Sequence, residues 1–75
     1  MRVSQQKLVE ALKEDARSAE PEEAVRAREY AEDLEEAVRT ESPARADRIL
    51  GRINTLLSSA TSAFSLTRDL LPPGS

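Results

Sequence analysis

The side chains able to do chemistry in this sequence fall into three groups. Five carboxylates, Glu29, Glu32, Asp33, Glu35 and Glu36, crowd one eight-residue stretch. Such a cluster could supply a general acid and base, or bridge metal ions between helices. Helical di-metal centres, however, aim their carboxylates inward and pair them with histidine in a Glu-x-x-His motif. The chain has no histidine, and these acids lie mostly off the apolar stripe of their own segment, so a solvated charged face is expected. The second group is the hydroxyls of "LSSATS" at 57–62. A serine nucleophile needs a base beside it, and with no histidine and both lysines near the N-terminus none is at hand. The third group is Arg45, Arg48 and Arg52, which recur on successive helical turns and would suit a phosphate clamp. Pairing with Glu35, Glu36 or Glu41 across a helical hairpin is the simpler use expected of them. No Gly-rich phosphate loop occurs, since Gly51 stands alone inside a helical pattern. No catalytic, cofactor-binding or metal-ligating residue is therefore assigned, and an enzyme is not expected.

The composition agrees with a scaffold rather than a reaction centre. Seventy-five residues make one domain, assigned to 1–71, with "PPGS" at 72–75 as a C-terminal tail or linker. Cysteine is absent and the aromatics are Tyr30 and Phe64 alone, so neither a disulfide nor a thiolate metal site can staple a core this small. The net charge of −3 is unevenly spread: residues 1–42 hold 12 acids and 7 bases, net −5, while residues 43–75 hold 2 acids and 4 bases, net +2. That split favours the two halves pairing with each other or with copies of each other. It does not provide the concentrated basic surface that nucleic acid requires. The preference for Arg over Lys, together with abundant Ala, suggests a bacterial source. "MRVSQQKLVEAL" lacks a signal-peptide core, and no run of about 20 apolar residues could span a bilayer, so a cytoplasmic protein is expected and a membrane partner is not.

Glu, Ala, Arg and Leu dominate, which is a helix-forming composition, and the fold class expected is all-α. Three helices are predicted, at about 5–18, 21–41 and 43–71. Ser4 suits the N-cap of the first, with Val3 and Leu8 placed as a hydrophobic staple; its apolar side is Leu8, Val9, Leu12 and Ala16. Pro21 suits the first position of the second helix, followed by Glu22 and Glu23 where the helix dipole favours acids. Its stripe is Ala24, Ala27, Tyr30, Ala31, Leu34, Ala37 and Val38, and Glu22–Arg26 and Glu35–Arg39 stand at the i, i+4 spacing of surface ion pairs. Ser42 and Pro43 repeat the same start signal for the third helix, and no proline or glycine breaks the pattern strongly before Pro72–Pro73–Gly74.

Read in heptads from Ala46, the third segment is mostly apolar at positions a, d and e through four repeats, the stripe of a core-facing bundle helix. The opposite face turns from arginine to Ser and Thr, and residues 53–67 carry no charge at all. The second helix pairs antiparallel with the third through the turn at 40–43, bringing Ala24 level with Ala60. Beyond Ala60 it runs out. Two placements of the first helix are open: in line with the second, as one broken arm of about 52 Å against about 43 Å for the third helix, or folded back into a compact bundle. The lengths favour the in-line arm, while folding back would leave the tip of the third helix bare. With either placement the apolar inventory is small, and a second hairpin would cover the wide a/d/e face from both flanks.

That face, Leu50, Ile53, Leu57, Phe64, Leu66, Leu70 and Leu71, is the predicted interaction surface. The function expected is a non-catalytic helical interaction module, cofactor-free, completing its bundle with a second copy or docking another helical protein. The alternative is a small regulatory or antitoxin-like binder that folds on its target.

Overall fold

The computed structural model describes residues 5–71 and consists of four helices: α1 (Gln5–Ala16), α2 (Pro21–Arg39), α3 (Pro43–Ser59) and α4 (Ser65–Leu70). The expected Ser4 cap with its Val3 staple, and the Pro72–Gly74 stop, lie outside the described residues. The all-α class holds, and α2 and α3 form the expected hairpin. Pro21 and Pro43 each open their helices, where a missing N–H costs nothing.

The turn between α2 and α3 closes mainly by backbone, with the Thr40 hydroxyl also donating to the Glu36 carbonyl at 2.9 Å. The Ser42 amide donates to the Ala37 carbonyl and the Glu41 amide to that of Val38, which is a Schellman motif. Its left-handed position is filled by Glu41 at φ 52°, where glycine is usual. Ser42 occupies the N-cap of α3, but its side chain caps nothing; its carbonyl accepts the first helical bond, from Ala46.

Two expectations about the chain path are corrected. The first concerns α1, which folds back onto α2 rather than extending it. The amides of Arg17, Ser18 and Ala19 each bond three residues back, tightening the helix end, and Glu20 is then extended at ψ 146°. A residue before proline is driven from the helical region, so the chain must bend here. The molecule is 31 Å in its longest dimension, little more than the roughly 29 Å of α2 alone at 1.5 Å per residue and too short for an arm of about 52 Å.

The second correction concerns the third helix, which stops at Ser59 instead of running to 71. Ala60 is extended and Phe64 is left-handed at φ 46°, and the chain resumes as α4 against α1. Three hydroxyls at the end of α3, on Thr55, Ser58 and Ser59, donate back to carbonyls four residues earlier, a habit that weakens and bends helices. The turn also puts Phe64 into the core at 3% exposure. Burying a side chain of that size is worth about 1.5–3 kcal/mol, which offsets the cost of about 1–2 kcal/mol for a left-handed L-residue.

One core results. Leu8, Val9 and Leu12 from α1 meet Ala27, Ala31 and Leu34 from α2, with Ile49, Ile53, Leu56 and Leu57 from α3 and Phe64 from the turn. The alanines of α2 let two helices approach it at once, which a stripe of leucines would not. Among the described residues no buried side-chain polar atom lacks a partner.

Candidate interaction surface

The reversal at 60–64 is held by charged side chains reaching across the molecule. Glu23, in the first turn of α2, accepts hydrogen bonds from the Thr61 amide at 2.8 Å and the Ser62 amide at 3.1 Å, and from both hydroxyls. The Ser62 hydroxyl in turn accepts the Glu20 amide at 2.9 Å. Donation from the Ser62 hydroxyl, then from the Thr61 amide, holds the Glu23 carboxyl below its ordinary value of 4.5. Asp15, at the end of α1, accepts from the Thr67 amide at 2.8 Å and its hydroxyl at 2.7 Å. Thr67 is the third residue of α4, so Asp15 does for that helix what an N-cap residue usually does from within the chain. Arg68 completes the closure, donating to the carbonyls of Ala63 at 2.7 Å and Leu57 at 2.9 Å. The Leu57 carbonyl belongs to the last turn of α3, which has no internal donor to meet it.

This polar clasp redistributes the predicted interaction face. Ile53, Leu57 and Phe64 are interior to the single chain, Leu50, Leu70 and Leu71 are partly buried against the core, and Leu66 is 48% exposed. What remains at the surface is a small apolar depression of about 410 Å³ between α1 and α4, floored by Ala11, Leu66 and Leu70 and rimmed by Glu10, Glu14 and Asp69. Of the rim, Glu14 lies 3.5 Å from Arg17 in an exposed pair, a contact that water largely screens.

The expected ion pairs are also redrawn. Glu35 pairs with Lys13 of α1 at 3.8 Å, not with an arginine of α3. Neither Glu22–Arg26 nor Glu35–Arg39 comes within 4 Å, and among the described residues Arg45, Arg48 and Arg52 have no ion-pair partner. The folded-back α1 explains the change, because it brings Lys13 to the flank of α2. The carboxylates at 29–36 do not converge: among the described residues no group of three or more His, Cys, Asp or Glu is placed to hold a metal ion. Nor is any described helix long and apolar enough to cross a membrane.

Sequence reasoning missed Asp15, Glu23 and Arg68 as the residues that place α4. The available signal was the run of Ser and Thr after Leu57, poor helix formers with donors to satisfy, opposite acids at the ends of two neighbouring helices. Comparison with protein-family models, curated proteins and solved structures finds no match to the chain.

Proposed function

We propose that the protein is a non-catalytic helical interaction module that binds a second copy of itself, or another helical protein, through the depression between α1 and α4. The observation that carries this reading is Leu66, which stands 48% exposed beside Leu70 and Ala11, where among the described residues Val25 is the other exposed large apolar side chain. A lone exposed leucine is ordinary; one seated in an apolar depression with a charged rim is the arrangement of a small contact site. Val25, at 53% exposure, has no such setting.

Within this reading the module works without a cofactor, in a bacterial cytoplasm, and takes neither nucleic acid nor a membrane surface as its partner. Its net charge of −3 repels polyanions. The alternative, a regulatory or antitoxin-like binder that folds only on its target, calls for a chain left open on its own. A core closed by α1 and α4 within one chain supports the module instead.

The test is solution mass measured over a wide concentration range, with helicity recorded on the same samples. Mass rising with concentration at constant high helicity is expected. A weakly helical monomer across the range would contradict the module and favour the binder.

A further inference from the structure

The unpaired arginines of α3 are not scattered. Arg48 and Arg52 line an open groove of about 430 Å³ between α2 and α3, and Arg26 closes it from the α2 side. Its floor is apolar and aromatic, with Tyr30 half-buried and Leu56 buried beneath. Gly51 lies on its wall, and a Cβ there would meet nothing within 4 Å. None of the three guanidinium groups has an ion-pair partner among the described residues. In a chain with 14 acids and 11 bases, a pocket of three unpartnered arginines is a charge arrangement with no counterpart inside the fold.

The counterpart is on the surface between α1 and α4. There a single exposed leucine is rimmed by three carboxylates, Glu10, Glu14 and Asp69. Two copies meeting through this depression alone would bring six carboxylates together. Two copies meeting groove to groove would oppose six guanidinium groups. Both symmetric contacts set like charges against each other, which costs affinity and discriminates against that pairing. The crossed contact sets three carboxylates against three guanidinium groups and leads Leu66 toward the Tyr30–Leu56 floor.

We propose that the groove of Arg26, Arg48 and Arg52 receives the Leu66 surface of a second copy, so that the protein associates head to tail. This rests on the self-association reading above and specifies its geometry. A heterologous contact of this kind leaves one free surface at each end and so builds rings if the rotation closes, or open chains if it does not. The arginine fork is suited to the role, since it meets carboxylates in pairs and stacks on aromatic faces.

Two variants test it. Leu66→Glu disables the patch and Arg48→Glu/Arg52→Glu disables the groove, each at exposed positions. Each alone is expected to remain monomeric and helical where the parent chain associates, with affinity at least about tenfold weaker, or about 1.4 kcal/mol. Mixed, they should form a dimer and nothing larger, because one intact patch then meets one intact groove. Gly51→Gln fills the groove without changing charge and favours the helix; it is expected to weaken association too. Association of the parent chain should fall between about 0.01 M and about 1 M salt, as the Debye length shrinks from about 30 Å to about 3 Å. If the parent associates and the groove variants do so equally, or the two disabled variants fail to pair when mixed, the head-to-tail geometry is wrong while self-association stands. A parent chain that is monomeric throughout overturns both.

Discussion

The α2–α3 hairpin and the segment from Ala60 to Leu71 are parts of one core held in different ways. The hairpin is built on apolar periodicity: Ala27, Ala31 and Leu34 against Ile49, Ile53 and Leu56, with a turn satisfied by its own backbone and the adjacent Thr40 hydroxyl. The C-terminal segment is placed by three charged side chains, two of them from other helices: Glu23 on the turn, Asp15 on the start of α4, and Arg68 back onto α3. The hairpin's information is therefore local and repetitive. That of the closing segment is carried by single residues up to 52 positions apart.

The largest effect should come from breaking the hairpin. Leu34 is fully buried, and Leu34→Ala is expected to cost about 2–5 kcal/mol, comparable to the whole stability of a domain this small. Both regions should melt together, as seen by helicity against urea. Asp15→Ala should separate them. Removing a carboxylate that accepts two hydrogen bonds costs about 1–3 kcal/mol, and the loss should fall on α4. Amide exchange at residues 66–71 is expected to accelerate while the hairpin amides keep most of their protection.

These two responses mirror what could be read beforehand. The hairpin was legible because alanine and leucine recur at steps of three and four between two N1 prolines. The break at Ala60 was not, because Leu66, Leu70 and Leu71 continue the heptad pattern across it, and periodicity cannot distinguish a helix that continues from one that reverses and packs the same leucines elsewhere. Nor could spacing alone place α1, whose Leu8 and Leu12 suit either an extended arm or a folded-back one. The predicted surface failed to stay at the surface for the same reason: Ile53, Leu57 and Phe64 find cover within the chain once α1 and the turn are in place. Only the Leu66–Leu70 end remained available.

A smaller change of opposite sign sharpens the contrast. Glu41 holds a left-handed backbone in the hairpin turn and is exposed. Glu41→Gly should relieve that conformation and raise stability by about 0.5–1 kcal/mol, a rise in Tm of about 2–8 °C for a chain of this size. Its effect should reach the whole molecule, since the hairpin underlies both regions.

The smallest global effect is expected at Glu23. Its carboxyl is held below the ordinary value of 4.5 by the Ser62 and Thr61 donors. A group whose folded pKa is depressed contributes stability above its unfolded pKa and loses it as pH falls through the folded value. The turn at 60–64 should therefore be tightest at neutral pH and loosen on acidification below about 4.5, seen as faster exchange of the Thr61 and Ser62 amides. Glu23→Gln should show the loosened turn already at neutral pH and lose this part of the pH response.

The most direct test of the account is whether α4 lies on α1 of the same chain. The decisive measurement is the set of proton–proton contacts seen by NMR on a dilute, uniformly labelled sample, with a mixed labelled and unlabelled sample to separate contacts within a chain from those between chains. The expected result is a set of intrachain contacts from Leu70 to Ala11 and from Thr67 to Asp15, with helical contacts interrupted between Ser59 and Ser65. Unbroken helical contacts from Pro43 to Leu71, with no intrachain contact to α1, would contradict it, returning Phe64 and Leu57 to the surface and removing the depression on which the proposed association depends.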